Sequence, residues 1–518
     1  MERTFAIKGY RLKQLLGLGL TLFTSTFILG PLLVLAWKGL GQGVGEFLSR
    51  AAQVKLSLIV GQVFLLAVAT TTFAMLFAIP LAWLLARTDL PGKDLFRFMA
   101  PLPLAIPPYI GAIVYQILLA PSIYRLWGAA FILGLFTYPY IYLLVHAALE
   151  RSNPSLEEAA QSMGMGSWEV FRRVTFPLLL PALLGGGLMV FLYAWADFGV
   201  VSLLRIRTLT TVIYSYIQGT MDWTVPAHLA LVLSGSTILV LFIQRRILGR
   251  AGYTQIAGGA KPPSRIPLGP WRWPALFYTI LVLTSSLFLP LGVLGFQASR
   301  LGLQGGLALL FKESAPFWNS LWTAVAGASL AILAALVVAW LVERKRQGFG
   351  ISGLFQIGYA IPGTVLGLGM VSFVHTFLPW LYATPLIVVI GYLVLYITPA
   401  FQAVKAALAQ LPLSLEEAAR GLGRGPFQTF LEVTLPLIRP GLLGGWILVF
   451  ILSMRELAAT LIVRPPGFDT LPVRVWIHTM DVGPEPKAAL LALALVGTIA
   501  LPWLMLILLK PKGVSLSW

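Results

Sequence analysis

Residues 155–181 read SLEEAAQSMGMGSWEVFRRVTFPLLLP, and residues 414–440 read SLEEAARGLGRGPFQTFLEVTLPLIRP. The two stretches align without a gap at a constant offset of 259 positions. The match pairs Ser155 with Ser414, Glu158 with Glu417, Ala160 with Ala419, Gly164 with Gly423, Gly166 with Gly425, Pro177 with Pro436 and Pro181 with Pro440. Weaker echoes fall at similar offsets: Ala82-Trp83-Leu84 with Ala339-Trp340-Leu341, and Ile106-Pro107 with Ile361-Pro362. The chain is therefore two copies of one unit, and the reading of that unit decides the fold.

What surrounds the repeat is apolar. The 518 residues are 58% hydrophobic and 11% charged, against roughly 25% charged in soluble globular chains. Mean hydropathy is +0.85. Only helices or closed barrels satisfy backbone hydrogen bonds inside a bilayer, and a barrel would show short alternating stretches. The apolar runs here are long, so the expected fold is an all-α polytopic membrane protein. Runs of spanning length lie near residues 12–37, 56–86, 98–120, 126–149, 178–203 and 228–247, and again near 274–296, 318–342, 351–378, 382–408, 437–462 and 488–510. That is about twelve transmembrane helices in two six-helix repeats, residues 1–249 and 274–518. Between them lies a polar, Gly- and Pro-containing linker, 250–273. The first run is too long for a signal-peptide core and reads as a retained span.

The net charge of +18 follows the same topology. The basic residues sit in short clusters between apolar runs, which argues against a nucleic-acid-binding face. With the N-terminus cytoplasmic, the inner segments hold 25 of the 37 Lys and Arg residues, so both termini are expected inside. An even number of spans separates the two copies of the repeated loop. Both copies then face the cytoplasm, and the halves form a parallel repeat about an axis along the membrane normal. There are no cysteines, which excludes disulfides, thiolate metal sites and iron–sulfur clusters. The histidines, His146, His228, His375 and His478, are scattered without ligand spacing and read as packing or interfacial residues. No tightly bound metal is expected. No Gly-x-x-x-x-Gly-Lys-Ser/Thr occurs, so this chain does not cradle ATP phosphates itself.

Each repeated loop opens with a Ser-x-x-Glu capping pattern and continues with Glu and Ala, which favour a short helix. Gly164 and Gly423 should end it, and the Pro pairs mark entry into the next span. A small helix projecting from a membrane domain is shaped to dock into a cleft of another protein. The Glu-Ala-Ala with its following Gly, present in both halves, resembles the EAA loop of ABC importer permeases, whose fold of this type is the type I importer fold. That resemblance implies a transport subunit of a bacterial inner membrane, not an enzyme, whose loops are coupling helices seated in two copies of a cytoplasmic ABC ATPase. ATP and Mg would be bound by that partner, with no cofactor in this chain. The ATPase-contact role passes to Glu158, Ala159, Ala160 and Gly164, and to Glu417, Ala418, Ala419 and Gly423. Closure of the ATPase pair would move both helices and rock the bundle between inward- and outward-facing states.

The single-chain, two-repeat layout resembles the ferric-iron permeases that work with a periplasmic iron-binding protein. Ala196-Asp197-Phe198-Gly199 followed by Thr208-Leu209-Thr210-Thr211 carries that resemblance in the first half. In the second, Arg455-Glu456-Leu457-Ala458-Ala459-Thr460 followed by Gly467-Phe468-Asp469-Thr470-Leu471 carries it. Fe3+ is thus the implied cargo, with thiamine, sulfate or a polyamine as alternatives within the class. An ion-coupled secondary transporter is the alternative from another class; it would place its polar sites near mid-membrane and need no docking loop. Asp197 and Glu456 stand at the same offset of 259, near the outer ends of the fifth and eleventh spans. Ionisable groups there face a cavity or pair inside the bundle. Two readings stay open: transient contact with a hard cation, or pairing with Arg455 to lock the halves. Pro107 and Pro362 should break the third and ninth spans, as pathway or gate elements or as packing kinks.

Overall fold

A computed structural model describes residues 19, 23–41, 43–152, 154–219, 223–250, 266–345 and 361–508. Most of the linker and both chain ends lie outside the described residues. Nine described helices are long and apolar enough to cross a membrane, ten if the bent pair Lys93–Ala105 and Pro108–Leu119 is one span. Gly363–Phe377 and Pro486–Leu508 occupy the ninth and twelfth expected runs.

The third run breaks where its prolines demand. Pro107 lacks the N–H and holds a fixed φ, so the chain leaves one helix and starts another at Pro108, turning by 93°. In the second half Pro362 caps the helix Gly363–Phe377, and the expected break of the ninth span before it lies outside the described residues. The fifth and eleventh runs differ from expectation, since neither continues through its acidic residue. Phe176–Ala196 ends before Asp197 and a short helix, Gly199–Leu203, follows. Leu435–Met454 ends before Glu456 and is followed by Ala458–Val463.

In each half three spans form the core: Leu56–Arg87, Leu126–Arg151 and Phe176–Ala196, then Ser314–Lys345, Leu386–Ala409 and Leu435–Met454. Lipid tails are as apolar as leucine, so helices in a bilayer associate through close packing and small residues. Ala67, Ala74, Ala78 and Ala82 are fully buried along the second span, and Ala324, Ala331, Ala335 and Ala339 repeat them along the eighth. The first span of each half also reaches across to the other half. Phe23–Leu40 packs on Gly363–Phe377, where a Cβ on Gly30 would meet the Phe373 ring at 2.5 Å. The seventh span, Gly269–Ser299, touches the first half, with the Tyr278 hydroxyl donating to the Leu76 carbonyl at 2.8 Å, while its Leu289–Ser299 end packs on Pro486–Leu508 of its own half. The end of the linker is pinned there too, through Ile266 N–H to the Arg87 carbonyl and Leu268 N–H to Asp89 Oδ1.

Candidate functional site

The two loop helices are Pro154–Ser162 and Leu413–Gly421. The second does not use the serine cap that the pattern suggests: Pro412 holds the cap position and Ser414 lies inside the first turn. Pro412 has no side-chain acceptor, and the helix starts without a side-chain cap. Both helices end on a glycine in the left-handed region, φ +85° at Gly164 and +83° at Gly423. Met165 N–H reaches back to the Ala160 carbonyl and Gly164 N–H to Gln161, at 3.2 and 2.9 Å; Arg424 and Gly423 repeat this with Ala419 and Arg420 at 3.1 and 3.0 Å. This is a Schellman closure, and a side chain at its left-handed residue would cost about 1–2 kcal/mol.

The two helices present the same faces. Glu158, Ala159, Glu417 and Ala418 are exposed, whereas Ala160 and Ala419 are buried, 6% and 9% exposed. Beside them Glu157 and Glu416 turn inward, a role that sequence reasoning missed. The Thr175 hydroxyl donates to Glu157 Oε1 at 2.9 Å, and Thr434 donates to Glu416 Oε1 at 3.1 Å. Arg87, itself 3% exposed, grips Glu157 with both terminal nitrogens at 3.0 and 3.4 Å and also donates to the Ser152 hydroxyl. Each threonine closes a π-helical turn, Phe171–Thr175 and Phe430–Thr434, at the foot of the next span. The available signal was the constant offset: Glu157 with Glu416 and Thr175 with Thr434 also differ by 259.

At the other end of the bundle the acidic pair lies in the breaks. Asp197 Oδ2 accepts the N–H groups of Val200 and Val201 at 3.0 and 3.2 Å. Glu456 Oε1 accepts Ala459 N–H at 2.9 Å, and Oε2 accepts the Tyr396 hydroxyl at 2.6 Å. Each carboxylate thus satisfies backbone donors of the short helix it precedes, which is the physical reason the spans stop there. These short helices pack on the broken spans at glycine contacts. A Cβ on Gly199 would lie 2.9 Å from the Tyr109 Cβ, and one on Gly363 would lie 2.9 Å from Glu456 Oε1.

Arg455 pairs with neither carboxylate. Its guanidinium crosses to the first half, donating to the Leu104 carbonyl at 3.2 Å and to the Tyr140 hydroxyl at 2.9 Å, over the Tyr193 ring. The lock between halves is therefore made of a carbonyl, a phenol and an aromatic face rather than an ion pair. Leu104 lies in the short turn just before Pro107, so Arg455 ties the eleventh-span break to the third-span break. Pro107 and Pro362 are buried helix caps beside these contacts. The histidines sit apart: His228 meets the Gly39 carbonyl, His146 lies 3.8 Å from Glu150, His478 3.7 Å from Glu313, and His375 packs edge-on against Tyr382.

A duplicated helical bundle with matched loop helices is the architecture of a multi-pass transport subunit, and comparison with known proteins agrees. Residues 78–252 and 327–510 each match the family described as binding-protein-dependent transport system inner membrane component. The chain belongs to that family. Over 424 residues it is 32% identical to the Fe(3+)-transport system permease protein FbpB 2 of Haemophilus influenzae, spanning 80% of this chain and 83% of that one. It is 26% identical over 434 residues to the ferric transport system permease protein FbpB of Actinobacillus pleuropneumoniae, covering 76% of this chain and 62% of the relative. The molybdenum transport system permease protein ModB of Escherichia coli is 29% identical over 182 residues, 30% of this chain and 80% of that one.

Proposed function

We propose that this chain is the membrane-spanning subunit of an ATP-driven importer and that it carries Fe3+, delivered by a periplasmic binding protein, to the cytoplasm by alternating access. Support for the cargo comes from the ferric permeases, one of them 32% identical over 80% of this chain. The observation that carries the mechanism is the pair of loop helices with equal geometry at a constant offset. Two copies of a cytoplasmic ATPase would each receive one helix, through the exposed Glu158 and Ala159 or Glu417 and Ala418. Gly164 and Gly423 let the chain turn away, and buried Ala160 and Ala419 let each helix lie close to the bundle. ATP and Mg belong to that partner. Both chain termini are then cytoplasmic, on the side of the loop helices.

Opening toward the periplasm would part the seam that Arg455 closes, so Asp197, Arg455, Glu456, Pro107 and Pro362 border the proposed route. Hard carboxylate oxygen suits Fe3+, and weak passing contact suits release. The test is reconstitution of the full complex in proteoliposomes with its binding protein and ATPase. ATP-dependent accumulation of iron is expected. Accumulation of thiamine, sulfate or a polyamine with no iron uptake would refute the cargo, and uptake driven by an ion gradient without ATP would refute the class.

A further inference from the structure

We propose that Glu157 and Glu416 are positioning residues that make each loop helix one rigid lever with the span behind it. This rests on the reading that the loop helices seat in ATPase subunits. Each loop helix has 9 residues, too few to hold an orientation by itself, since isolated helices shorter than about 12–15 residues are marginal. The chain leaving it passes a glycine turn and then a π-helical turn, where the helical hydrogen-bond ladder changes register. A push on the exposed face would dissipate at those two points unless something bridged them.

The inward glutamates form that bridge. Thr175 ties Glu157 to the start of the fifth span, and Arg87, the last residue of the second span, ties it to that span's end at 3.0 Å. Ser152, at the end of the fourth span, completes the clamp through Arg87. The three spans gripped in this way are the core triad of the first half. In the second half Thr434 ties Glu416 to the eleventh span, and Glu416 is 3% exposed. Arg344 follows Ala339 in the sequence as Arg87 follows Ala82, but its side chain lies outside the described residues. Glu416 is buried at a desolvation cost, and Glu157, half-buried, is held by the buried Arg87. Adjacent glutamates have thus divided the work: Glu158 and Glu417 face outward, and Glu157 and Glu416 hold the lever stiff.

The experiment uses the full complex in proteoliposomes and reads iron transported per ATP hydrolysed. In Glu157→Gln with Glu416→Gln, the ATPase should co-purify in its usual ratio and hydrolyse ATP at its basal rate. Transport per ATP should fall by up to about 10²-fold, the scale of loss that a misplacement of about 1 Å can bring. Thr175→Val with Thr434→Val, a milder change that guards against misfolding, should lower the same ratio, and Thr175→Ser with Thr434→Ser should restore it. An unchanged ratio in both the Gln and Val variants overturns the proposal. Loss of the ATPase from the Gln variant overturns it too, because the glutamates would then be contact groups. Gly164→Trp with Gly423→Trp tests the underlying reading separately: ATPase that stays bound and coupled there refutes the docking of these helices, whatever the glutamates do.

Discussion

In the first half, the turn after Gly199–Leu203 is tied by hydroxyls: Thr210 to the Asp197 carbonyl at 2.6 Å, Thr211 to the Ile206 carbonyl at 3.1 Å, and Thr208 to Thr210 at 2.9 Å. In the second half the matching turn is tied by charges. Arg464 pairs with Asp469, and Arg474 reaches Asp469 at 3.5 Å and Glu313 at 2.7 and 3.0 Å. The helix after the turn starts at Leu209 in the first half and at Leu471 in the second, 262 positions apart, so the second turn is longer than the repeat offset of 259 allows. The loop-helix end shows no such divergence: the glycine closure, the π-helical turn and the threonine–glutamate contact all recur. On the proposed function the reason is steric. A surface that meets two identical grooves must keep two identical shapes, whereas a surface that meets one binding protein presents different chemistry to different parts of it.

Arg455 offers the hardest test of that contrast, because the first half has Ala196 in its place. Arg455→Met should abolish uptake and lower the thermal midpoint of the purified protein. Charged hydrogen bonds contribute about 1.5–3 kcal/mol each, and two are lost. Ala196→Ser should leave both readings near wild type, and equal damage from the two changes would break the comparison.

A smaller effect is expected at Glu313. The Arg474 guanidinium holds its carboxyl below the usual glutamate range, so the pair contributes stability above that range and loses it as pH falls through the lowered value. As pH falls below about 5 the thermal midpoint of wild type should fall more steeply than that of Glu313→Gln. Parallel slopes would mean the charged network does not hold the far end of the second half. In the first half the corresponding tie is neutral, and Thr211→Val should cost about 1 kcal/mol with no dependence on pH across that window.

The smallest change belongs to the exposed pair Arg424 and Glu432, both about half exposed. Arg424→Gln should alter thermal stability by less than about 1 kcal/mol, because exposed ion pairs are screened by water and salt. A larger loss, measured on the isolated subunit, would show that the second loop helix is braced differently from the first.

Much of this architecture is legible in the residues. The gapless repeat announces two parallel halves, the apolar runs announce helices, Pro107 announces where the third span breaks, and Pro362 announces where a helix starts, because each signal acts through its own neighbours. The limits of that legibility are equally local. The apolar pattern continues through Asp197 and Glu456, so the ends of the fifth and eleventh spans are invisible until backbone donors are seen to need those carboxylates. The alanine stripe of the second and eighth spans repeats at a constant offset of 257, but alanine is common enough in apolar runs that the pattern does not stand out.

By itself, then, the order of residues determined the number of units, their parallel sense and the position of the two loop helices with their glycine ends. Tertiary structure alone decided which of two adjacent glutamates faces inward, and that Arg455 bonds across the seam to Leu104 and Tyr140 instead of to an acid. The physical reason is distance. A helix turns about 100° per residue, so neighbouring side chains already part company. Which one meets Thr175, or which half receives a guanidinium, depends on how separate spans pack, and no local pattern encodes that.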